Sequence, residues 1–292
     1  MAKARCPGAC GELIQGWLYD SEKLISCPID WYSTVEVGSK RDLSHNAGKM
    51  ANHAFLNTLQ FLQQPTELAD ELAVHVDSTI PQARGMASST ADVAATIMAT
   101  AHHFHYELST AELASICTQI EPTDSTIFNQ VSLFDHHKGT LIESYGQIQR
   151  PIPILVLQSS MHLHTADYHH MQRFEQLKAS ATQLEKARKL LQSAMRENDP
   201  ALLGEASTLS AIESQRILPK PLFASLLDIV ERQGLLGINV SHSGSAVGIL
   251  YDDNRHDIQK VVRSIEQIDR LNFYQTKHYQ SIIPGGVSHI FT

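Results

Sequence analysis

The stretch Pro81-Gln-Ala-Arg-Gly-Met-Ala-Ser-Ser-Thr-Ala-Asp92 carries the residue types from which a polypeptide builds an anion pocket. Gly85 lets the backbone approach a ligand closely, and Ser88 and Ser89 add hydroxyl donors. An alanine-rich helical pattern follows, so free amides and the positive end of a helix dipole would face the same point. This composition points to a phosphorylated ligand, most simply a nucleotide. Neither the Walker pattern GxxxxGK[ST] nor a Rossmann GxGxxG occurs, so the grip on phosphate would rest on backbone amides rather than on a lysine-bearing turn. The same residues also describe a serine-capped buried helix that binds nothing.

Three other segments carry chemistry. Cys6-Pro-Gly-Ala-Cys-Gly-Glu-Leu-Ile-Gln-Gly16 packs glycines densely, which implies close approach or positive φ, and it presents Glu12 and Gln15 in a tight loop. A plain surface turn is the alternative. Glu121-Pro-Thr-Asp124 places two carboxylates where Pro122 must end a helix. Such a pair suits a magnesium ion or a general base, and Asp124 equally suits a helix N-cap. Ser241-His-Ser-Gly-Ser-Ala246 could set amides against a phosphate or carboxylate, or could be a simple turn between strands.

Composition bounds these readings. The 292 residues, 42% hydrophobic and 18% charged, suit a globular chain with a substantial core. A net charge of -8 argues against a nucleic-acid binder with a broad basic face, but not against a local phosphate pocket. No apolar run approaches the roughly 18 residues of a membrane span, and the N-terminus lacks the apolar core of a secretory signal, so a cytoplasmic location is expected. Cys6, Cys10, Cys27 and Cys117 form no CxxC pair and read as free thiols. The 16 histidines include His102-His103-Phe104-His105, His136-His137 and His169-His170. No HExxH occurs and adjacent histidines point apart, so a structural zinc site is not expected from them.

These segments must be positioned by mixed elements. Residues 23–28, 32–38 and 71–77 read as strands, 47–64 as a helix, 88–105 as a buried helix, and 110–119 as a helix with Ser109 as N-cap. Further strands are expected at 141–145, 153–158, 237–241, 246–251 and 286–291. Further helices are expected at 166–197, 200–216, 221–232 and 254–268. Without a regular βαβ beat the class is α+β, with a boundary near residue 150 dividing the chain into 1–150 and 151–292.

In this order the four segments resemble the motifs of the GHMP kinase superfamily. The family's central motif runs Pro-x-x-x-Gly-Leu-x-Ser-Ser, and Pro81, Gly85, Met86, Ser88 and Ser89 match it, with Met86 for leucine and Thr90 where alanine is frequent. Gly11-Glu12 matches the end of the N-terminal motif, and His242 to Ala246 is similar to the late glycine-rich motif, though poorer in glycine. Within the superfamily, residues 7–17, 85–92 and 121–125 resemble the L-threonine kinases of cobalamin synthesis. The resemblance implies a two-domain fold, with ATP and substrate meeting at the domain junction. It implies transfer of a phosphoryl group from ATP, with Mg2+, to the hydroxyl of L-threonine. Pro81, Gly85, Met86, Ala87, Ser88, Ser89 and Thr90 would wrap the ATP phosphates with Gly244 and Ser245. Ser89 and Glu121 would hold magnesium, with Glu112 competing for the role of Glu121. Asp124 would orient or deprotonate the acceptor, and Glu12, Gln15 and Ser243 would face the substrate. Many relatives have a lysine between the first Pro-Gly and Gly-Glu; here Ala9-Cys10 stand there, leaving Arg84 as the candidate cation. Homoserine or another small alcohol as acceptor, and a non-catalytic nucleotide or amino-acid binder, are the alternatives.

Overall fold

Two long strands open the chain and pair with each other along their length. In this computed structural model, which describes residues 1–159 and 173–290, β1 (Ala2–Leu18) lies antiparallel to β2 (Ser21–Ser39), from Ala2 opposite Val37 to Leu18 opposite Ser21. The glycine-rich segment 6–16, expected as a tight loop, is therefore the bulged middle of a strand. Gly11 (φ 59°) takes the left-handed conformation where the ladder slips, and the register shifts between Ala9, Glu12 and Ile14. β2 merges the two strands expected at 23–28 and 32–38. Pro28, which has no N–H to give a ladder, sits opposite Ala9 at one of these irregularities.

The next elements are α1 (Lys49–Phe61), β3 (Leu72–Ser78), α2 (Ser88–His103) and α3 (Thr110–Ile120). α2 is buried nearly all round through Ala91, Val93, Ala94, Ala95 and Ile97, as its sequence predicts. α3 starts at Ser109, which caps it in a capping box with Glu112. After β4 (Ser132–Asp135), β5 (Thr140–Ser144) and β6 (Ile152–Gln158) come α4 (Phe174–Glu197), α5 (Pro200–Ser214) and α6 (Phe223–Gln233). β7 (Gly237–Val240), β8 (Val247–Leu250), α7 (Ile258–Ile268), β9 (Thr276–Ile282) and β10 (Ser288–His289) complete the chain. The expected helix 166–197 and strand 286–291 both run partly outside the described residues, as do His169 and His170. β9 was not expected. The class is α+β.

The strands form one sheet in the order β10-β1-β7-β8-β6-β9-β2-β4-β5, with β3 also on β2 and β1 also on β2. Early and late strands are interleaved: Glu12 of β1 is opposite Val240 of β7, and Ile29 of β2 is opposite Ile282 of β9. One core cluster joins β1 and β2 to α1, α2 and α4; a second joins β6, β7 and β8 to α6 and α7 around Tyr274. All four cysteines are buried and free. No helix among the described residues is long and apolar enough to cross a membrane.

Candidate active site

The start of α2 is open rather than sealed. Its N-cap is Ala87, held at φ 54°, and no side chain caps the helix. Ala83 (φ 56°), Gly85 (φ 71°) and Ala87 alternate with Arg84 and Met86, which lie outside the left-handed region. Alternation of this kind turns successive backbone N–H groups toward a common concave side, the usual nest for an anion. Left-handed alanines cost energy, and such strain persists only where surrounding structure holds it. The Ala9 N–H donates to the Met86 carbonyl at 3.0 Å, and Met86 is buried. On the other side, Ser245 and Ala246 donate their N–H groups to the Arg84 carbonyl, each at 3.2 Å. A Cβ on Gly85 would lie 2.5 Å from the Ser241 Cβ, and one on Gly244 would lie 2.3 Å from the Arg84 carbonyl carbon. The central and late glycine-rich segments are thus one backbone-to-backbone structure.

Beside this loop stand three carboxyl groups. Gly11, whose Cβ would clash with the Val240 backbone at 2.4 Å, bends β1 so that Glu12 faces inward opposite Ser26. Ser26 and Ser125 bind each other reciprocally, N–H to hydroxyl at 2.8 and 3.0 Å, which seats the loop carrying Asp124 against β2. The Thr90 hydroxyl of α2 donates to Asp124 Oδ2 at 3.0 Å. Asp124 precedes the short helical turn Ser125–Ile127 but makes no capping bond, so it does not act as an N-cap. Burial raises the carboxyls of both Glu12 and Asp124. Glu12 keeps its proton more firmly and donates to Asp124, whose anion is favoured by Thr90 and by the charge of His242. Glu121 is pushed up to about 7 by burial, against a hydrogen bond from Ser89 and with the charges of Asp124 and Asp92 adding to the rise.

Glu12, Glu121 and Asp124 line one cavity with Gly85, Met86, Ala87, Ser88, Ser89, Thr90 and Ser243, so most of the site residues expected from sequence converge. Glu12 Oε2 and Glu121 Oε1 are buried and find no hydrogen-bond partner among the described residues. The unsatisfied Glu121 oxygen, beside a serine hydroxyl and a nest of amides, fits a hard cation carried with a polyphosphate. Magnesium and the phosphates of ATP suit this donor set.

Other expected residues lie elsewhere. The Arg84 guanidinium donates to the Ser159 carbonyl at 2.7 Å, and only the backbone neighbours of Arg84 reach the cavity wall. Gln15 turns its amide to the Val240 carbonyl at 3.2 Å, behind the wall. Pro81, Gly244 and Ser245 do not line the cavity; the last two brace the loop from outside. Glu112 is held in its capping box at the far end of α3 from Glu121. Asp92 accepts from the Ser33 hydroxyl at 2.5 Å, fastening α2 to β2.

Sequence reasoning missed several groups here. His136 and His242 line the cavity. His242 Nε2 lies 2.9 Å from Glu22 Oε1, and Arg173 donates to Glu22 Oε2 at 2.7 Å. Burial alone would raise the Glu22 carboxyl, but His242 and Arg173 outweigh it and hold the group well below the usual range. Lys220, 6% exposed, donates to the Gly244 carbonyl at 2.7 Å, and burial pushes its ammonium down to about 7. His242 lies inside a segment already suspected. His136 belongs to a histidine pair that the sequence reading set aside, whereas Glu22, Arg173 and Lys220 had no local signal.

Comparison with known proteins bears on this site. Residues 50–135 match the family model of the GHMP kinases N terminal domain, and residues 171–268 match that of the GHMP kinases C terminal. The chain is 46% identical over 287 residues to an L-threonine kinase of Salmonella typhimurium, covering 98% of this chain and 95% of that one. It is also 46% identical over 288 residues to an L-threonine kinase of Citrobacter freundii, covering 98% and 99%. Among solved structures, a mevalonate kinase superposes with TM-score 0.68 at 17% identity, over 97% of this chain and 99% of that one. A homoserine kinase from Cytophaga hutchinsonii superposes with TM-score 0.64 at 14% identity, over 99% and 97%. The structural likenesses carry the fold alone.

Proposed function

The chain belongs to the GHMP kinase family, and from that membership we propose that it is an L-threonine kinase, making O-phospho-L-threonine from ATP and L-threonine. Near full-length identity to two L-threonine kinases supports the acceptor. The observation that carries the chemistry is Asp124, half-buried, gripped by Thr90 and facing the open start of α2.

Phosphoryl transfer asks mainly for positioning and for neutralisation of charge. Magnesium-ATP supplies the transferable group with part of its charge already masked. The backbone from Gly85 to Thr90 would receive the phosphate oxygens, and Ser89 and Glu121 would hold the metal. With the Arg84 side chain turned to Ser159, the amide nest and the helix dipole take over the charge a loop cation would have met. Asp124, the more acidic of its pair with Glu12, accepts the proton of the threonine hydroxyl as transfer proceeds. Glu12 offers its free oxygen to the substrate ammonium, and Ser243 closes the wall. On this reading the chain works in the cytoplasm, in the assembly of the corrinoid nucleotide loop. Residues 1–150 form its ATP-binding part and 151–292 its C-terminal part, with the site at their junction.

An ADP-release assay with magnesium-ATP tests the proposal across L-threonine, L-serine, homoserine and mevalonate. The expected result is a kcat/KM for L-threonine at least tenfold above the others. Faster turnover of homoserine reassigns the acceptor. Nucleotide binding without turnover of any alcohol makes the protein a sensor on a kinase fold.

A further inference from the structure

Next to the carboxyl cluster lies a second set of ligating groups that phosphoryl transfer does not use. Glu22 comes from β2, His136 from the residue after β4, and His242 from the connection between β7 and β8. They are 8%, 2% and 9% exposed. One oxygen of Glu22 and one ring nitrogen of each histidine all lie within 4.8 Å of one another. The two imidazoles meet edge-on, with centroids 5.2 Å apart and an interplanar angle of 81°.

We propose that Glu22, His136 and His242 form a binding site for a divalent transition-metal ion, with zinc as the ion whose preferences match best. Two imidazole nitrogens and one carboxylate oxygen are borderline donors suited to zinc and its neighbours, whereas magnesium prefers oxygen ligands and near-octahedral geometry. The site is therefore distinct from that of the nucleotide's cation. Zinc bonds of about 2.0–2.2 Å to nitrogen and oxygen set neighbouring ligand atoms little more than 3 Å apart. The 2.9 Å between His242 Nε2 and Glu22 Oε1 needs to widen by only a few tenths of an ångström. There the ion takes the place of the hydrogen bond between that pair.

Arg173 supports this arrangement from behind. It engages Glu22 Oε2, so that Oε1 is the oxygen presented to the imidazoles, as outer partners of ligating carboxylates commonly do. The His136 carbonyl accepts from the Thr123 N–H at 3.1 Å, which fixes that residue one position from Asp124. Because His136 and His242 both line the cavity, the fourth coordination position faces it. Three protein ligands among the described residues match the usual number that a catalytic zinc ion takes from its protein. Against the expectation that adjacent histidines point apart, the His136 and His137 rings stack, with centroids 4.1 Å apart and planes 39° from parallel. His136 finds its partners far along the chain, and His137 is not one of the set.

The test uses the full chain, stripped with a chelator and free of nucleotide. Zinc is titrated by calorimetry and cobalt by visible absorption. One equivalent per chain is expected, with the intense d–d bands of a four-coordinate cobalt ion. His136→Ala and Glu22→Gln should each weaken binding at least tenfold, and His75→Ala, on β3, should not. Because Glu22 also anchors Arg173 and His242, thermal melting of each metal-free variant checks that it folds. The wild-type cobalt spectrum decides the point without any variant. No binding, the weak bands of six-coordinate cobalt, or binding unchanged in both ligand variants overturns the site.

Discussion

Thr90 and Asp124 hold each other twice: the Thr90 hydroxyl donates to Asp124 Oδ2 at 3.0 Å and accepts from the Asp124 N–H at 3.3 Å. The first turn of α2 thereby sets the orientation of the carboxylate proposed as base. Asp124→Asn should lower kcat by roughly 10²–10⁴-fold, the usual contribution of a general base, with the Kd for ATP changed little. Thr90→Val, which keeps the shape but removes both bonds, should lower kcat on the order of tenfold, given about 1.5–3 kcal/mol for hydrogen bonds to charged groups. Steady-state kinetics with calorimetric ATP binding check both. An unchanged kcat in Asp124→Asn removes it from the chemistry.

Ser89 and Glu121 meet at the cavity wall, and Glu121 Oε1 has no protein partner among the described residues. Ser89→Ala and Glu121→Gln should each raise the magnesium concentration for half-maximal rate about tenfold or more. Glu112→Gln should leave it unchanged, because that side chain belongs to the cap of α3. Rates measured across a magnesium titration at fixed ATP decide which carboxylate serves the metal.

Gly85 carries a positive φ and touches the Ser241–Gly244 segment. Gly85→Ala brings a Cβ to 2.5 Å from the Ser241 Cβ and 2.8 Å from the Gly244 Cα. Strain at such a backbone position costs about 1–3 kcal/mol before the clash is counted. The expected outcome is a lower melting temperature together with loss of ATP binding. Gly48→Ala, where nothing lies within 4 Å of the new atom, should change neither.

Lys220 makes stability depend on pH in an uncommon direction. Its ammonium is pushed down to about 7 in the fold from an ordinary value of 10.5, so between those values the unfolded chain binds the extra proton. Stability from this group therefore rises with pH across the window from about 7 to 10.5, and the full penalty of a buried charge applies below it. Lys220→Met should stabilise the protein most at or below neutral pH, and the advantage should shrink by pH 9. Denaturant melts of both proteins at pH 6.5 and 9 check this; a gap that widens toward pH 9 contradicts it.

The site was legible where its signal is local. Gly85, Ser88, Ser89, Glu121 and Asp124 stand beside small residues or a proline whose conformational meaning can be read at once. Elements with a strong period were legible too, such as the alanine-rich face of α2. Glycines misled at β1, because a bulged strand uses the same residues as a loop, and only the pairing with β2 separates the two. β9, Thr-Lys-His-Tyr-Gln-Ser-Ile, has no apolar alternation, since most of its residues are only half-buried or exposed. The roles of Gln15 and Arg84 depended on where a side chain turns, which packing against Val240 and Ser159 decides. Glu22, His136 and Lys220 reach the site through contacts distant in sequence, and no local pattern announces such contacts.

The interleaving of strands has a consequence for anyone who cuts this protein. A fragment ending near residue 150 would strip Glu12 of Val240 and Ile29 of Ile282, leaving bare ladder edges of the kind that recruit other chains. The remaining piece would lack the two strands that border β7 and β9. Neither portion should be quiet alone in solution, whereas two co-expressed pieces that find each other could restore the missing rungs.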